Sequence, residues 1–342
     1  MNLPIQPPLA PMEALLVDEI PTGEGWQYEP KWDGFRCLAF RDGKEVQLQS
    51  KSGQPLTRYF PELAEAFLKL KPQRFVLDGE IAVPVDSRFS FDDLLQRIHP
   101  AESRVRKLSQ EHPALFIAFD LLVSDAGTDL ADKPLAERRK QLEQFASRYF
   151  KTHQRIRLSP AATDIESAQK WFKTVGADLD GIVAKRVDVP YQPGERTAMQ
   201  KIKWARTADC VVGGFRYASK SKVIGSLLLG LYDDQGLLQH VGFCSGLKAQ
   251  ERKRLKGVLE PLIQPPGFTG RAPGGISRWS TKRSMEWEPL KPKLVVEVSY
   301  DHFTGGRFRH GTKLIRWRPD KASEQCRLDQ VAAKTKGSLA LL

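Results

Sequence analysis

The sequence predicts an α+β protein in which a mixed, mainly antiparallel sheet domain is followed by a small closed β-barrel of the OB-fold type. The chain has 342 residues, 41% hydrophobic and 27% charged, which is enough for about two globular domains. Helical and strand-like segments alternate up to about residue 204, and short strand-like runs dominate beyond it. We therefore predict domains over residues 1–204 and 205–342.

The first domain opens with a hairpin pattern. An apolar stretch from Phe35 to Phe40 leads to a turn at Asp42-Gly43, and polar and apolar residues alternate from Glu45 to Gln49. Hydrophobic spacing and end signals then predict, in order, a helix over Glu62–Leu70, a strand over Phe75–Val85 broken at Asp78-Gly79, a buried strand over Leu115–Val123, helices over Pro134–Tyr149 and Asp164–Val175, and a strand over Gly181–Lys185.

The second domain has short strand-like runs punctuated by turn residues. Five such runs and one helix are the pattern of a small closed barrel. The strands are predicted over Cys210–Phe215, Ser226–Tyr232, Leu237–Cys244, Leu294–Tyr300 and Lys313–Arg318, with the helix over Ala249–Ile263.

Charge and composition indicate which kinds of partner, location and metal site to expect. The net charge of +12 suggests a polyanionic partner, although a solvated basic surface is an equal alternative. No apolar run approaches the roughly 20 residues of a membrane span, so we expect no membrane association and a cytoplasmic location. The four cysteines are scattered singly, which argues against a zinc site.

One lysine, Lys31, lies ahead of a glycine turn in the segment Glu29–Arg36. An exposed lysine, with a reference pKa of about 10.4, is an ammonium at neutral pH, so a nucleophilic role requires burial or cationic neighbours. Lys201 and Lys203, two residues apart on a predicted strand, face one side and are candidate neighbours. Read alone, Lys31 also fits a plain surface lysine, and the pair fits the solvated face of an edge strand.

Seven segments stand out in order along the chain, namely Glu29–Arg36, Ser50–Gly53, Asp78–Glu80, Phe119–Leu122, Asp180–Lys185, Lys201–Lys203 and Arg318–Lys321. Together they resemble motifs I, Ia, III, IIIa, IV, V and VI of the covalent nucleotidyltransferases, and the resemblance covers about residues 4–325. The likeness is strongest to the ATP-dependent DNA ligases, in particular the compact stand-alone bacterial type of repair and end joining. It implies a nucleotidyltransferase (ATP-grasp-like) domain followed by an OB-fold domain.

The resemblance implies a covalent intermediate in which Lys31 attacks the α-phosphate of ATP and retains AMP. Lys201 and Lys203 would lower the pKa of Lys31 and stabilise charge on that phosphate. Glu29 would help to read the purine edge. By the same likeness Phe119 stacks on adenine, although a core aromatic is the better interpretation of that residue alone.

The remaining roles are also carried by the resemblance. Glu80 would contact the ribose and, with Asp180, hold Mg²⁺ or Mn²⁺; many family members have glutamate where Asp180 stands. Lys185 would lie near the phosphates. Asp33 and Arg36 would act near the ribose and the nick, with a turn-capping carboxylate and a surface arginine as the alternatives.

Lys51 occupies a position where many ligases have arginine, and a phosphate contact is implied for it. Motif VI, with Arg318, Asp320 and Lys321, would reach ATP through domain closure about a hinge near Trp204–Thr207.

The implied partner is nicked duplex DNA, contacted through its backbone without sequence preference, with a Ku-like or other repair partner also possible. We expect a monomer associated with the bacterial nucleoid. An RNA ligase or a GTP-using capping enzyme would share Lys31, Glu80 and Lys201 and is the alternative within the superfamily. A non-catalytic nucleic-acid-binding protein is the alternative from another class.

Overall fold

The computed structural model describes residues 1–175, 179–203, 206–218, 221, 223–274, 286–331 and 337–342, with the backbone alone over 172–175. The chain divides into two compact units, Met1–Trp204 with Thr335–Leu342, and Ala205–Lys334. Among the described residues, no helix has the length and apolar character needed to span a membrane.

The described residues of the first unit form two main sheets and five α-helices. Its strands are β1 (Leu15–Leu16), β2 (Trp26–Lys31), β3 (Phe35–Asp42), β4 (Glu45–Ser50), β5 (Arg74–Ala82), β6 (Pro84–Val85), β7 (Arg88–Phe89), β8 (Leu115–Val123), β9 (Ile156–Leu158), β10 (Gly181–Arg186) and β11 (Met199–Lys203). Its helices are α1 (Pro61–Lys69), α2 (Phe91–Gln96), α3 (Glu102–Glu111), α4 (Leu135–Tyr149) and α5 (Ile165–Val175).

One sheet has five strands in the order β4-β3-β5-β8-β9, and the other has four in the order β1-β11-β10-β2. Strand β8 is buried along its whole length, and α4 packs against it. A core of aromatic rings joins α1 and α4 to the first sheet, with Phe67, Phe75, Phe116 and Phe145 in edge-on contacts. Burial on both faces explains why β8 reads as an apolar run, broken by Asp120, whose carboxylate pairs with Arg138 of α4 at 2.9 Å.

The second unit is a barrel of antiparallel strands. They are β12 (Arg206–Tyr217), β13 (Ile224–Tyr232), β14 (Leu238–Cys244), β15 (Glu288–Pro289), β16 (Val295–Tyr300), β17 (Phe303–Thr304), β18 (Arg307–Phe308) and β19 (Lys313–Trp317), with the helix α6 (Ala249–Leu259). The sheet runs β14-β13-β12-β16-β19, and a bridge between Cys244 and Thr312 joins its two edges. The predicted α+β class and barrel are confirmed.

Two local predictions are wrong. Strand β5 continues through Asp78-Gly79, where its register against β8 shifts; both residues are buried, so they are not a surface turn. The helix predicted to reach Ile263 ends at Leu259 and continues as a 3₁₀ turn over Glu260–Leu262, because Pro261 cannot extend an α-helix.

The last residues pack on the first unit, although the sequence prediction assigned them to the second domain. The amide of Leu339 donates to the Ser87 carbonyl at 3.2 Å, and the amide of Phe89 donates to Ser338 Oγ at 3.3 Å. Leu341 and Leu342 add apolar contacts there. Of the predicted hinge at Trp204–Thr207, residues 204 and 205 lie outside the described part of the chain, and the other two begin β12.

Candidate active site

A cavity of about 770 Å³ lies in the first unit and is lined by strands of both sheets. It brings together residues that are far apart in the sequence, from β2, β3, β5, β8, β10 and β11. Eight of the predicted site residues line it, namely Glu29, Lys31, Arg36, Lys51, Glu80, Phe119, Lys185 and Lys201.

Lys31 is the last residue of β2, and strand register fixes its neighbours. Gly181 of β10 lies between Lys31 and Lys203, so the two lysines flank it in one row of the sheet. Asp180, which is buried, contacts the ammonium of Lys31 directly and that of Lys203 at 3.8 Å. One carboxylate therefore links the predicted nucleophile to the predicted motif V lysine.

Gly181 permits this close approach of strands. A Cβ at this position would lie 1.8 Å from the carbonyl oxygen of Ile202 in β11, and its φ is +153°. No side chain fits that space. The glycine of the motif is thus needed to bring the row of lysines together.

Lys201 lies two rows away from Lys203, opposite Val183, and lines the cavity. Burial lowers the pKa of Lys201, and the positive charges of Lys31, Lys51 and Lys203 lower it further. The sequence-based prediction that cationic residues would cluster around Lys31 agrees with this arrangement.

Glu29 and Lys185 form a buried ion pair at 2.8 Å, from Lys185 Nζ to Glu29 Oε2. The other carboxylate oxygen of Glu29 accepts a hydrogen bond of 2.7 Å from the side-chain amide of Gln27. Lys185 Nζ also lies 4.5 Å from the centre of the Phe119 ring. The structure therefore places Lys185 beside the residues predicted to hold adenine, whereas the resemblance implied a position near the phosphates.

The guanidinium of Arg36 is held by the carboxylate of Asp78. Two hydrogen bonds of 2.6 Å join its guanidinium to the two carboxylate oxygens, and Asp78 is fully buried. The hydroxyl of Tyr191 donates to the same carboxylate at 2.6 Å. The guanidinium carbon of Arg36 lies 4.5 Å from the centre of the Phe119 ring, so this buried network holds a cation over the predicted adenine-stacking residue.

Glu80 faces Arg36 across β3 and β5 and remains partly accessible from the cavity. Burial raises the pKa of Glu80 to about 8, while the positive charges of Lys31 and Arg36 oppose the increase. The negative charge of Asp33, in the turn after β2, adds to it. A cation bound beside Glu80 would lower this pKa and favour the carboxylate form.

Glu80 and Asp180 are the two carboxylates predicted to bind metal. Among the described residues no group of three or more His, Cys, Asp or Glu side chains is close enough to enclose an ion. Mg²⁺ is commonly held by one or two carboxylates together with water and substrate phosphates. Glu80 lines the cavity, whereas Asp180 is engaged by Lys31 and Lys203, so metal binding by these two carboxylates stays a prediction.

Lys51 lies at the rim of the cavity with its side chain 56% exposed. Its ammonium is 3.1 Å from Glu13, which also pairs with Arg196 at 2.8 Å. The Lys51 hydrogen bond lowers the pKa of Glu13. Because an ion pair between exposed side chains is weak, the Lys51 ammonium can exchange Glu13 for a phosphate group.

The predicted motif VI residues lie in the second unit. Arg318 bonds Asp209 at 2.9 and 3.0 Å and Asp320 at 2.9 to 3.2 Å. Lys321 reaches Asp209 at 2.7 Å. The Arg318 hydrogen bonds lower the pKa of Asp320 to about 2.

Sequence reasoning missed Gln27, Tyr191 and Asp209, and it interpreted Asp78 as part of a turn. Each acts by a contact between distant segments, such as the pair of Asp78 with Arg36 or of Asp209 with Arg318. A buried acid within an apolar run is the signal that was available for Asp78.

Comparison with known proteins agrees with this geometry. Residues 11–203 match the family model described as the ATP dependent DNA ligase domain, and residues 220–321 match that of the ATP dependent DNA ligase C terminal region. The chain is 44% identical to DNA ligase C2 of Mycolicibacterium smegmatis and to DNA ligase C of Mycobacterium tuberculosis, over 97% of this chain and 96% of each relative.

A solved structure of a Lig E DNA ligase has the same fold, with a TM-score of 0.53 at 14% identity over 90% of this chain and 100% of that one. The fold is therefore a nucleotidyltransferase domain followed by an OB-type domain, as the sequence predicted. The chain belongs to the ATP-dependent DNA ligases and is a phosphodiester-bond-forming enzyme of the stand-alone bacterial type.

Proposed function

We propose that this ligase seals nicks in duplex DNA through a covalent AMP on Lys31. In the first step the Lys31 ammonium loses a proton to solvent and the free amine forms a bond to the α-phosphorus of ATP; the bond to the bridging oxygen breaks, pyrophosphate leaves, and the second proton of the nitrogen is released to solvent. The AMP then passes to the 5′-phosphate of the nick. Attack by the adjacent 3′-hydroxyl releases AMP and joins the strand.

The observation that carries the proposal is the row of Lys31 and Lys203 on either side of Gly181, joined by Asp180, with Lys31 lining the cavity. An ammonium makes that contact with a carboxylate, and attack requires the free amine. A triphosphate bound beside Lys201 and Lys203 would pair with those two cations. Asp180 could then leave Lys31, whose amine would be free to attack.

The nucleotide would lie with its base on the Phe119 ring. Glu29, held by Gln27 and Lys185, offers an acceptor toward the purine edge. Glu80 would accept from the ribose. Lys51, at the rim, would take a phosphate oxygen.

A divalent cation, Mg²⁺ or Mn²⁺, would be held by Glu80 and Asp180 with water and phosphate oxygens, and it would neutralise charge on the phosphates. Asp33 and Arg36 would act near the ribose and nick. From the OB domain, Arg318, Asp320 and Lys321 would orient the pyrophosphate when the domains, taken as residues 1–204 and 205–342, close over ATP.

DNA contacts would be made mainly to phosphate and sugar, since the chain carries a net charge of +12 and the reaction requires no sequence. Three of the relatives are named non-homologous end joining proteins, and a Ku-like or other repair partner is part of the proposal. We also propose that the protein is a monomer and lies in the bacterial cytoplasm at the nucleoid.

The test is transfer of label from α-labelled ATP in Mg²⁺ or Mn²⁺, followed by sealing of a nicked duplex. Lys31→Ala and Lys31→Arg should take no label, because Lys31→Arg keeps the charge facing Asp180 but not the nucleophile. Lys44→Ala, an exposed lysine of the β3–β4 turn, is the matched control and should label normally. Labelling by GTP in place of ATP, or AMP transfer confined to RNA ends, would contradict the proposal.

A further inference from the structure

Asp209 lies at the centre of an ion cluster in the second unit. Its two carboxylate oxygens accept from Arg318 at 2.9 and 3.0 Å, and Oδ2 also accepts from Lys321 at 2.7 Å. One side chain therefore holds both cations of the C-terminal motif. Within the part of the chain that the structure describes, no other acidic residue pairs with both cations.

Asp209 differs from the other acid on Arg318. Its side chain is 12% exposed, whereas that of Asp320 is 63% exposed. Gln330 fixes the backbone of Asp209, since its side chain accepts from the amide at 3.1 Å and donates to the carbonyl at 3.3 Å. Asp209 is thus a rigid, largely buried anchor, while Asp320 can exchange with solvent or phosphate.

The anchor also sets the direction of the two cations. Arg318 follows β19, and its amide donates to the carbonyl of Val295 at 2.9 Å, while the amide of Lys321 donates to the Arg318 carbonyl at 3.2 Å. These bonds fix the backbone turn, but the long side chains retain several rotamers. The shared carboxylate removes that freedom by holding the guanidinium and the ammonium together.

Without Asp209 the two cations would be partly buried neighbours of like charge. Their side chains are 19% and 21% exposed. Like charges so placed repel, and each would turn toward solvent or another acid, such as Glu297, which lies 3.9 Å from Arg318. The motif would keep its residues and lose their arrangement.

We infer that Asp209 is a positioning residue for the transfer of AMP from ATP to Lys31, acting through Arg318 and Lys321. The inference rests on the proposed function, in which those two residues orient pyrophosphate as it leaves. Since the side chain of Asp209 is engaged by Arg318 and Lys321, which the proposed function places at the departing pyrophosphate, Asp209 acts in that step and not in the joining of a nick that already carries AMP.

The experiment compares Asp209→Asn and Asp209→Ala with the wild type in two reactions. One is single-turnover labelling of the full-length protein by α-labelled ATP, and the other is sealing of a pre-adenylated nick without ATP. Labelling at saturating ATP should fall by about 10- to 100-fold. Sealing should stay within about twofold, which a merely structural role would not allow.

Two controls complete the design. Asp234→Asn removes an exposed ion pair with Arg327 in the same unit and should leave both reactions unchanged. In an Arg318→Ala/Lys321→Ala background, adding Asp209→Asn should slow labelling no further, because the residues it positions are absent.

Three results would overturn the inference. They are normal labelling by both Asp209 variants, an equal loss in both reactions, or a further loss in the Arg318→Ala/Lys321→Ala background. A wild-type protein that takes no label would refute the proposed function itself. Normal labelling by Asp209→Asn beside slowed labelling by the double variant would refute the inference alone.

Discussion

Asp78→Ala should destabilise the strands that form the nucleotide pocket, because Asp78 is the fully buried partner of Arg36. It accepts two hydrogen bonds of 2.6 Å from that guanidinium and one of 2.6 Å from Tyr191. Removing one partner of a buried ion pair costs about 3–5 kcal/mol. Arg36 is 21% exposed and can gain water from the cavity, so we expect the lower end, about 3 kcal/mol.

The assay is native-state hydrogen exchange of β3 and β5, followed by mass spectrometry of their peptides. At about 1.4 kcal/mol per tenfold, a loss of about 3 kcal/mol raises exchange by global opening of this unit about 10²-fold. The KM for ATP should also rise, since Arg36 loses its place over the Phe119 ring.

Glu102→Ala is the matched control for the loss of a carboxylate. Glu102 forms an ion pair with Arg106 on the surface of α3, and both side chains are more than 70% exposed. That change should cost less than about 0.5 kcal/mol. If exchange in β5 is the same in Asp78→Ala and Glu102→Ala, the buried network does not stabilise the pocket and the reasoning is refuted.

Three further predictions concern glycine, charge and stacking. Gly181→Ala should lower the melting temperature and abolish labelling, because the added Cβ would collide with the carbonyl oxygen of Ile202. Gly257→Ala in α6 is the control: its Cβ would enter open space, and it should stabilise the protein by about 0.5–1 kcal/mol. The pKa of Glu80 is near 8 in the folded protein and about 4.5 in the unfolded chain, so between these pH values only the folded protein keeps the proton. The contribution of Glu80 to the stability of the fold therefore falls as the pH rises from 4.5 to 8. Glu80→Gln should raise the melting temperature at pH 9 and not at pH 4. Phe119→Leu should raise the KM for ATP about tenfold with Lys31 labelling retained at saturation, and an unchanged KM would exclude stacking.

Regular elements were predictable wherever burial was periodic or complete. The wholly buried β8 and the amphipathic α1 follow from local hydrophobic spacing, and their bounds in the structure differ little from those predicted. The break predicted at Asp78-Gly79 failed because turn propensity is local and the decisive contacts are not. Phe116 would lie 2.4 Å from a Cβ at Gly79, so glycine there serves packing between strands.

The site was predictable as a set of residues but not as an arrangement. Motif spacing identified Lys31 and Lys185, yet strand pairing decides that Lys185 meets Glu29 and the Phe119 ring. Asp209 carries no pattern of its own in the sequence. Its role depends on a partner 109 residues away, which only the folded barrel brings into contact.

The most direct measurement is the position of the AMP after a single turnover with ATP and Mg²⁺, read by fragmentation mass spectrometry of the peptides. The chemistry requires the adduct on the Nζ of Lys31, beside Asp180 at the cavity wall. Chase of that adduct into a nicked duplex should seal the strand. An adduct on Lys201, Lys203 or another residue, or no adduct in a protein that still seals nicks, would contradict the account.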